Sequence, residues 1–139
     1  MSRTTWMRPQ ERAVEPPFLA VFRNRFTVSI PTVLKFRFSA DERAAFFLDG
    51  EKIADGPERG TPQCWFYNTV EVRLAAGDHV LTSRLLALGA VNTAYGQLSI
   101  QPGLWVDEET SVLGNGSVKP AWAAPSRARP CAITVMRLF

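Results

Sequence analysis

Hydrophobic and polar residues alternate along much of the chain. Phe26, Val28 and Ile30 are separated by Thr27 and Ser29, and Leu34, Phe36 and Phe38 by Lys35 and Arg37. Val70, Val72 and Leu74 flank Glu71 and Arg73 in the same way. A period of two sends successive side chains to opposite faces of a strand, so one set enters a core and the other meets water. The pattern predicts antiparallel sheets with one wet face each. The alternation assigns Phe26, Val28 and Ile30 together to the buried side, and Phe36, Phe46, Leu48, Val72 and Leu81 to the core.

Turn chemistry separates these runs. Pro31, within Ile30-Pro31-Thr32, cannot donate to a ladder and divides the first two strands. Asp49-Gly50 stands between Phe46-Phe47-Leu48 and Lys52-Ile53-Ala54, and both residues tolerate the positive φ of a tight hairpin. Ala76-Gly77-Asp78 joins the strand ending at Leu74 to one over Val80–Leu88. Further strands are expected at Gln97–Ile100, Leu104–Val106 and Ala132–Phe139. The stretch Asp107–Pro130, rich in Gly, Ser, Pro and Ala, reads as loop, anchored by Trp122. No helical stripe persists over three turns. The expected fold is all-β, an antiparallel sandwich or jelly roll, in a single domain over residues 1–139.

Composition narrows the function classes. The chain has 139 residues, 46% of them hydrophobic and 21% charged, which suits one globular core. Apolar runs such as Leu85–Leu88 are too short for a membrane-spanning helix. Met1–Arg8 lacks the apolar stretch of a secretory signal, so a cytoplasmic location is expected. The net charge of +3 comes from scattered arginines. Arg23, Arg25, Lys35 and Arg37 resemble a phosphate-binding stripe, but alternation with Leu34, Phe36 and Phe38 makes Lys35 and Arg37 a strand's solvent face, and no nucleic-acid partner is expected. Cys64 and Cys131 lack a Cys-x-x-Cys context and His79 is the sole histidine, which excludes a zinc cluster. A disulfide is open from sequence; two free thiols are the expectation.

An ordered series of segments then carries a resemblance. Phe22-Arg23-Asn24-Arg25-Phe26 is followed by Ser39-Ala40-Asp41, Phe47-Leu48-Asp49-Gly50-Glu51-Lys52, Asp55-Gly56-Pro57, Trp65-Phe66-Tyr67-Asn68-Thr69-Val70-Glu71-Val72 and Gly77-Asp78-His79-Val80-Leu81. Trp6 and the region of Trp105 suit the same order. The series resembles the galactose-binding-like jelly roll at the N-terminus of bacterial α-L-rhamnosidase-type glycoside hydrolases. The resemblance implies an accessory domain that supports a catalytic helical barrel and sometimes binds sugar. The implied partners are the catalytic domain of a parent hydrolase and a carbohydrate, such as an L-rhamnose-containing glycan. The alternative is a structural docking domain with no sugar site.

Catalysis by these residues alone is not expected. Glycoside hydrolysis needs two carboxyl groups flanking the scissile bond, and nothing pairs two of the thirteen Asp and Glu in a cleft. Asp107-Glu108-Glu109 reads as a solvated turn, His79 has no evident nucleophile beside it, and Ser39, Ser83 and Ser99 lack a nucleophile-elbow context. For sugar binding the candidates are Asp41, Glu42, Asn92 and Trp65. Asp41-Glu42 follows the second strand and Asn92 lies in the loop Gly89–Gly96, both at loops the resemblance places on one end of the sandwich. Asp41 and Asn92 supply the oxygen ligands calcium prefers; Asp41 accepting turn hydrogen bonds is the competing role. Trp65 offers a stacking ring, although Trp65 and Tyr67 at a strand start read first as core.

Overall fold

The computed structural model describes residues 6–7, 16–57, 64–89, 102–110, 112–113 and 130–137. These contain nine strands: β1 (Trp6–Met7), β2 (Phe18–Val28), β3 (Thr32–Asp41), β4 (Arg43–Leu48), β5 (Glu51–Gly56), β6 (Trp65–Leu74), β7 (Gly77–Ala87), β8 (Gly103–Glu108) and β9 (Pro130–Arg137). They form a five-stranded sheet, β1-β8-β3-β6-β9, and a four-stranded sheet, β2-β7-β4-β5. Every pairing is antiparallel except β6–β9, which is parallel. The expected all-β sandwich is the observed fold. The expected strand at Gln97–Ile100 and the anchor Trp122 lie outside the described residues.

The core follows the alternation. Leu34, Phe36 and Phe38 of β3 and Val70 of β6 are fully buried and face Phe46, Leu81 and Leu85 of the other sheet. The Phe46 ring lies 5.1 Å from Phe36 and 4.6 Å from Phe38, within the range of favourable tilted ring pairs. Leu48 and Val72 pack at the edge of this cluster, partly buried. Ile30 departs from the expectation. It is 69% exposed, because β2 ends at Val28 and the chain bends before Pro31 to cross into the other sheet.

The turns act as their chemistry dictates. Asp49 at φ 50° and Gly50 at φ 91° close the β4–β5 hairpin with both residues at positive φ. Ala76-Gly77-Asp78 does different work, carrying the chain from β6 in one sheet to β7 in the other. Gly56, at φ 151°, passes so close to the side chain of buried Asn68 that a Cβ there would clash with its amide. That amide donates to the Asp55 carbonyl at 3.0 Å, which binds the end of β5 to β6 across the sandwich edge.

The expectation of two free thiols is corrected. Cys64 is disulfide-bonded, and the chain's only other cysteine is Cys131. The parallel β6–β9 pairing sets Phe66 opposite Cys131, so strand order brings these two segments side by side although they are distant in sequence.

Candidate functional site

The end of β3 gathers three of the four sequence candidates. Alternation turns Phe36, Phe38 and Ala40 inward and leaves Asp41 on the outer side, paired in register with Gly103. Asp41 and Glu42 are nonetheless buried, at 1% and 4% exposure. Burying a carboxylate is costly unless polar partners receive it. The Glu42 carboxylate accepts the Leu88 N–H and so ties the end of β7 to the β3–β4 junction. Trp65, half-buried at the start of β6, stands at the same end because β3 and β6 run antiparallel. Ser39 Oγ donates to the Phe66 carbonyl at 2.7 Å and helps fix that end. Asn92 lies outside the described residues, and with it one of the two expected calcium ligands. Among the described residues no group of three or more His, Cys, Asp or Glu is placed to hold a metal ion.

Trp65 and Tyr67 do not join the sandwich core. Asn68 and Val70 take the inward positions of β6, which turns Tyr67 to the outer face. There its ring lies 6.1 Å from Trp105 and under the Arg37 guanidinium at 5.7 Å. Arg37 Nη2 meets Asp107 Oδ2 at 2.6 Å and its Nε faces Glu109 Oε1 at 3.3 Å, while Lys35 Nζ meets Glu109 Oε2 at 3.0 Å. The acidic run is therefore a solvated turn only at Glu109, which lies in an exposed bend. Asp107 and Glu108 belong to β8, and Glu108 Oε1 accepts the Val112 and Leu113 N–H groups, pinning the following loop against the core. Each carboxylate of the run thus has a structural partner.

A third polar cluster was not read from sequence. His79 Nδ1 lies 2.7 Å from Asp49 Oδ2, and His79 Nε2 lies 2.7 Å from the Ala75 carbonyl. Asp49 Oδ1 also accepts the Val80 N–H at 2.8 Å. Both ring nitrogens face oxygen acceptors, an arrangement that favours the protonated ring. The Ala75 hydrogen bond first, then Asp49, raises the His79 pKa above its ordinary value. Burial works against ionisation of Asp49, yet the hydrogen bonds from His79 and Val80 outweigh it and hold the carboxyl below the usual range. Phe26 packs on the imidazole at 5.7 Å, and a shallow groove runs past it between Arg25, Thr27 and Asp78. The Asp49-Gly50 turn was legible as a hairpin. Its reach to His79 depends on the β4–β7 pairing of Leu48 with Leu81, which the local pattern does not encode.

No protein-family model and no curated protein matches the sequence. A solved structure does share its fold. A GH78 family rhamnosidase of Bacillus sp. GL1 superposes with a TM-score of 0.64 at 20% identity, over 78% of this chain. The match occupies 12% of that enzyme's chain. At this identity the likeness establishes a shared sandwich fold.

Proposed function

We propose that the chain is a non-catalytic sandwich domain of an α-L-rhamnosidase-type glycoside hydrolase, acting as structural support within a larger enzyme. The observation that carries this reading is the fold match, in which this sandwich corresponds to a small part of a GH78 rhamnosidase. The ordered segments across Phe22–Leu88 point to the same family from sequence. The carboxylates support it further: Asp107 and Glu109 are held in ion pairs, Glu108 accepts loop N–H groups, and Asp41 and Glu42 are buried at a strand end. The catalytic domain of the parent enzyme is the partner on this reading. The Cys64 disulfide supports an oxidising compartment rather than the cytoplasm expected from the N-terminal sequence.

Carbohydrate binding is the second reading, favoured by the half-buried Trp65 ring at the same end as Asp41. On this reading Trp65 stacks on a sugar, and Asp41 with Asn92 holds a calcium ion that polarises its hydroxyls. Glu42 is engaged by Leu88 and serves the loop. Two assays separate the readings. The isolated chain should leave an aryl α-L-rhamnoside intact; turnover abolished by changing one Asp or Glu would overturn the non-catalytic assignment. Calorimetry with L-rhamnose, with and without calcium, should give no heat on the structural reading. Calcium-dependent binding, roughly millimolar to micromolar and lost in Asp41→Ala, would establish the second.

A further inference from the structure

The outer face of the four-stranded sheet holds apolar side chains that alternation alone does not explain. Among the described strands β2 is its edge, with Phe18, Ala20, Phe22, Phe26 and Val28 turned toward the core. The outward positions begin with Leu19, 58% exposed, and Val21, 52% exposed. Leu86 of β7, directly opposite Leu19, is also exposed. Three large aliphatic side chains thus form one contiguous patch in water.

Cations surround it. Arg23 and Arg25 continue the outward row of β2 beyond Val21, and Arg84 of β7 stands opposite Val21. Arg43 of β4 stands opposite Leu86. The Arg84 guanidinium lies over the Phe47 ring at 4.5 Å, which fixes its position without neutralising it. Among the described residues, the carboxylates on this face are already engaged: Asp55 by Lys52 and by Arg43 at 3.6 Å, and Asp78 by the Thr27 hydroxyl at 2.6 Å. Arg23 and Arg25 form no ion pair with any described residue.

Edge arginines by themselves serve to discourage strand pairing between molecules. That role accounts for Arg23 and Arg25, yet it would be undone by leaving Leu19 and Val21 exposed beside them. An apolar centre with an arginine rim is instead the anatomy of a protein interface, where Arg is enriched and carboxylates are depleted. A second copy of the same face would bring arginine rim against arginine rim, so self-association is opposed. Aliphatic side chains also lack the flat ring that a glycan stacks on.

We propose that the outer face of β2, β7 and β4 docks a polypeptide partner presenting apolar side chains flanked by carboxylates. Leu19, Val21 and Leu86 receive the apolar groups, and Arg23, Arg25 and Arg84 receive the carboxylates as forked pairs. This surface is independent of the hydrolase assignment and of the Trp65 end.

The test uses the folded 139-residue chain and a mixed glutamate–tyrosine copolymer as an acidic, apolar-bearing probe. Binding at low salt should weaken at least tenfold in the double variant Arg23→Glu with Arg25→Glu, and several-fold in Leu19→Ser with Val21→Ser. Arg84→Glu, on a neighbouring strand, should weaken it as well and guards against a folding defect in β2. Polyglutamate, which offers charge alone, should bind more weakly and be indifferent to Leu19→Ser. Absence of copolymer binding, or binding that survives both charge reversals, overturns the proposal. Dextran sulfate competing on equal terms, with no effect of the Leu19 and Val21 changes, would make this a general anion surface. A dimer in sedimentation that Leu19→Arg dissociates would assign the face to a second copy.

Discussion

His79 and Asp49 clamp the ends of three strands through one hydrogen bond of 2.7 Å. The ring belongs to β7, the carboxylate to the β4–β5 turn, and the ring packs on Phe26 of β2. The sign of its pH dependence follows from the two shifts. The His79 pKa is raised, so its contribution is complete below about 6.5 and fades as pH climbs through the folded value. The Asp49 pKa is lowered, so its contribution is complete above about 3.9 and fades as pH falls through the folded value. Asp78, Arg25 and Thr27 also border the ring. Stability to urea should therefore be flat between about pH 4.5 and 6 for this pair and decline on raising pH to 8.5. With Asp49 nearly half exposed the decline should stay under about 1 kcal/mol. His79→Gln should remove that slope; an unchanged slope would mean another group produces it.

Phe36 is fully buried between the two sheets and lies 5.1 Å from Phe46. Phe36→Ala should cost about 3–5 kcal/mol in denaturant unfolding, through lost transfer energy and the cavity left behind. A cost below about 1 kcal/mol would contradict the packing.

Gly56 and Asn68 are coupled by contact. Gly56→Ala places a methyl group against the Asn68 amide and imposes a φ that L side chains rarely adopt, endangering the hydrogen bond to the Asp55 carbonyl. A loss of about 1–3 kcal/mol is expected. Combined with Asn68→Ala, the loss should be smaller than the sum of the two single changes. Simple additivity in the thermal melts would show that the two residues do not meet.

The Cys64 disulfide closes a loop of about 70 residues, worth roughly 4 kcal/mol in the chain-entropy account. Reduction under native conditions should lower the melting temperature by roughly 10 °C. Purified protein should carry no thiol that reacts with iodoacetamide before reduction. Two reactive thiols in freshly isolated protein would restore the free-thiol expectation.

The sandwich was legible because period two and the turn residues are local signals. Phe36, Phe38, Val70 and Leu81 announce their face within a few neighbours, and Asp49-Gly50 announces its hairpin. Ile30 was misplaced because alternation continues in sequence past Val28 whereas the strand does not, the bend before Pro31 ending it. What depends on strand order was hidden. Arg37 meets Asp107, and His79 meets Asp49, only once β3 lies beside β8 and β4 beside β7. Asp41, Glu42 and Trp65 were legible as candidates and do converge on one end, but the burial of the two carboxylates is set by packing that no local pattern carries.

The assignment to a larger rhamnosidase-type enzyme is tested most directly on the native gene product. An antibody raised against the folded sandwich should detect, in cells that make it, a polypeptide several times longer than 139 residues, and the immunopurified product should hydrolyse an aryl α-L-rhamnoside. A native product of only this length, inactive on the rhamnoside and bound to no hydrolase, would contradict the account.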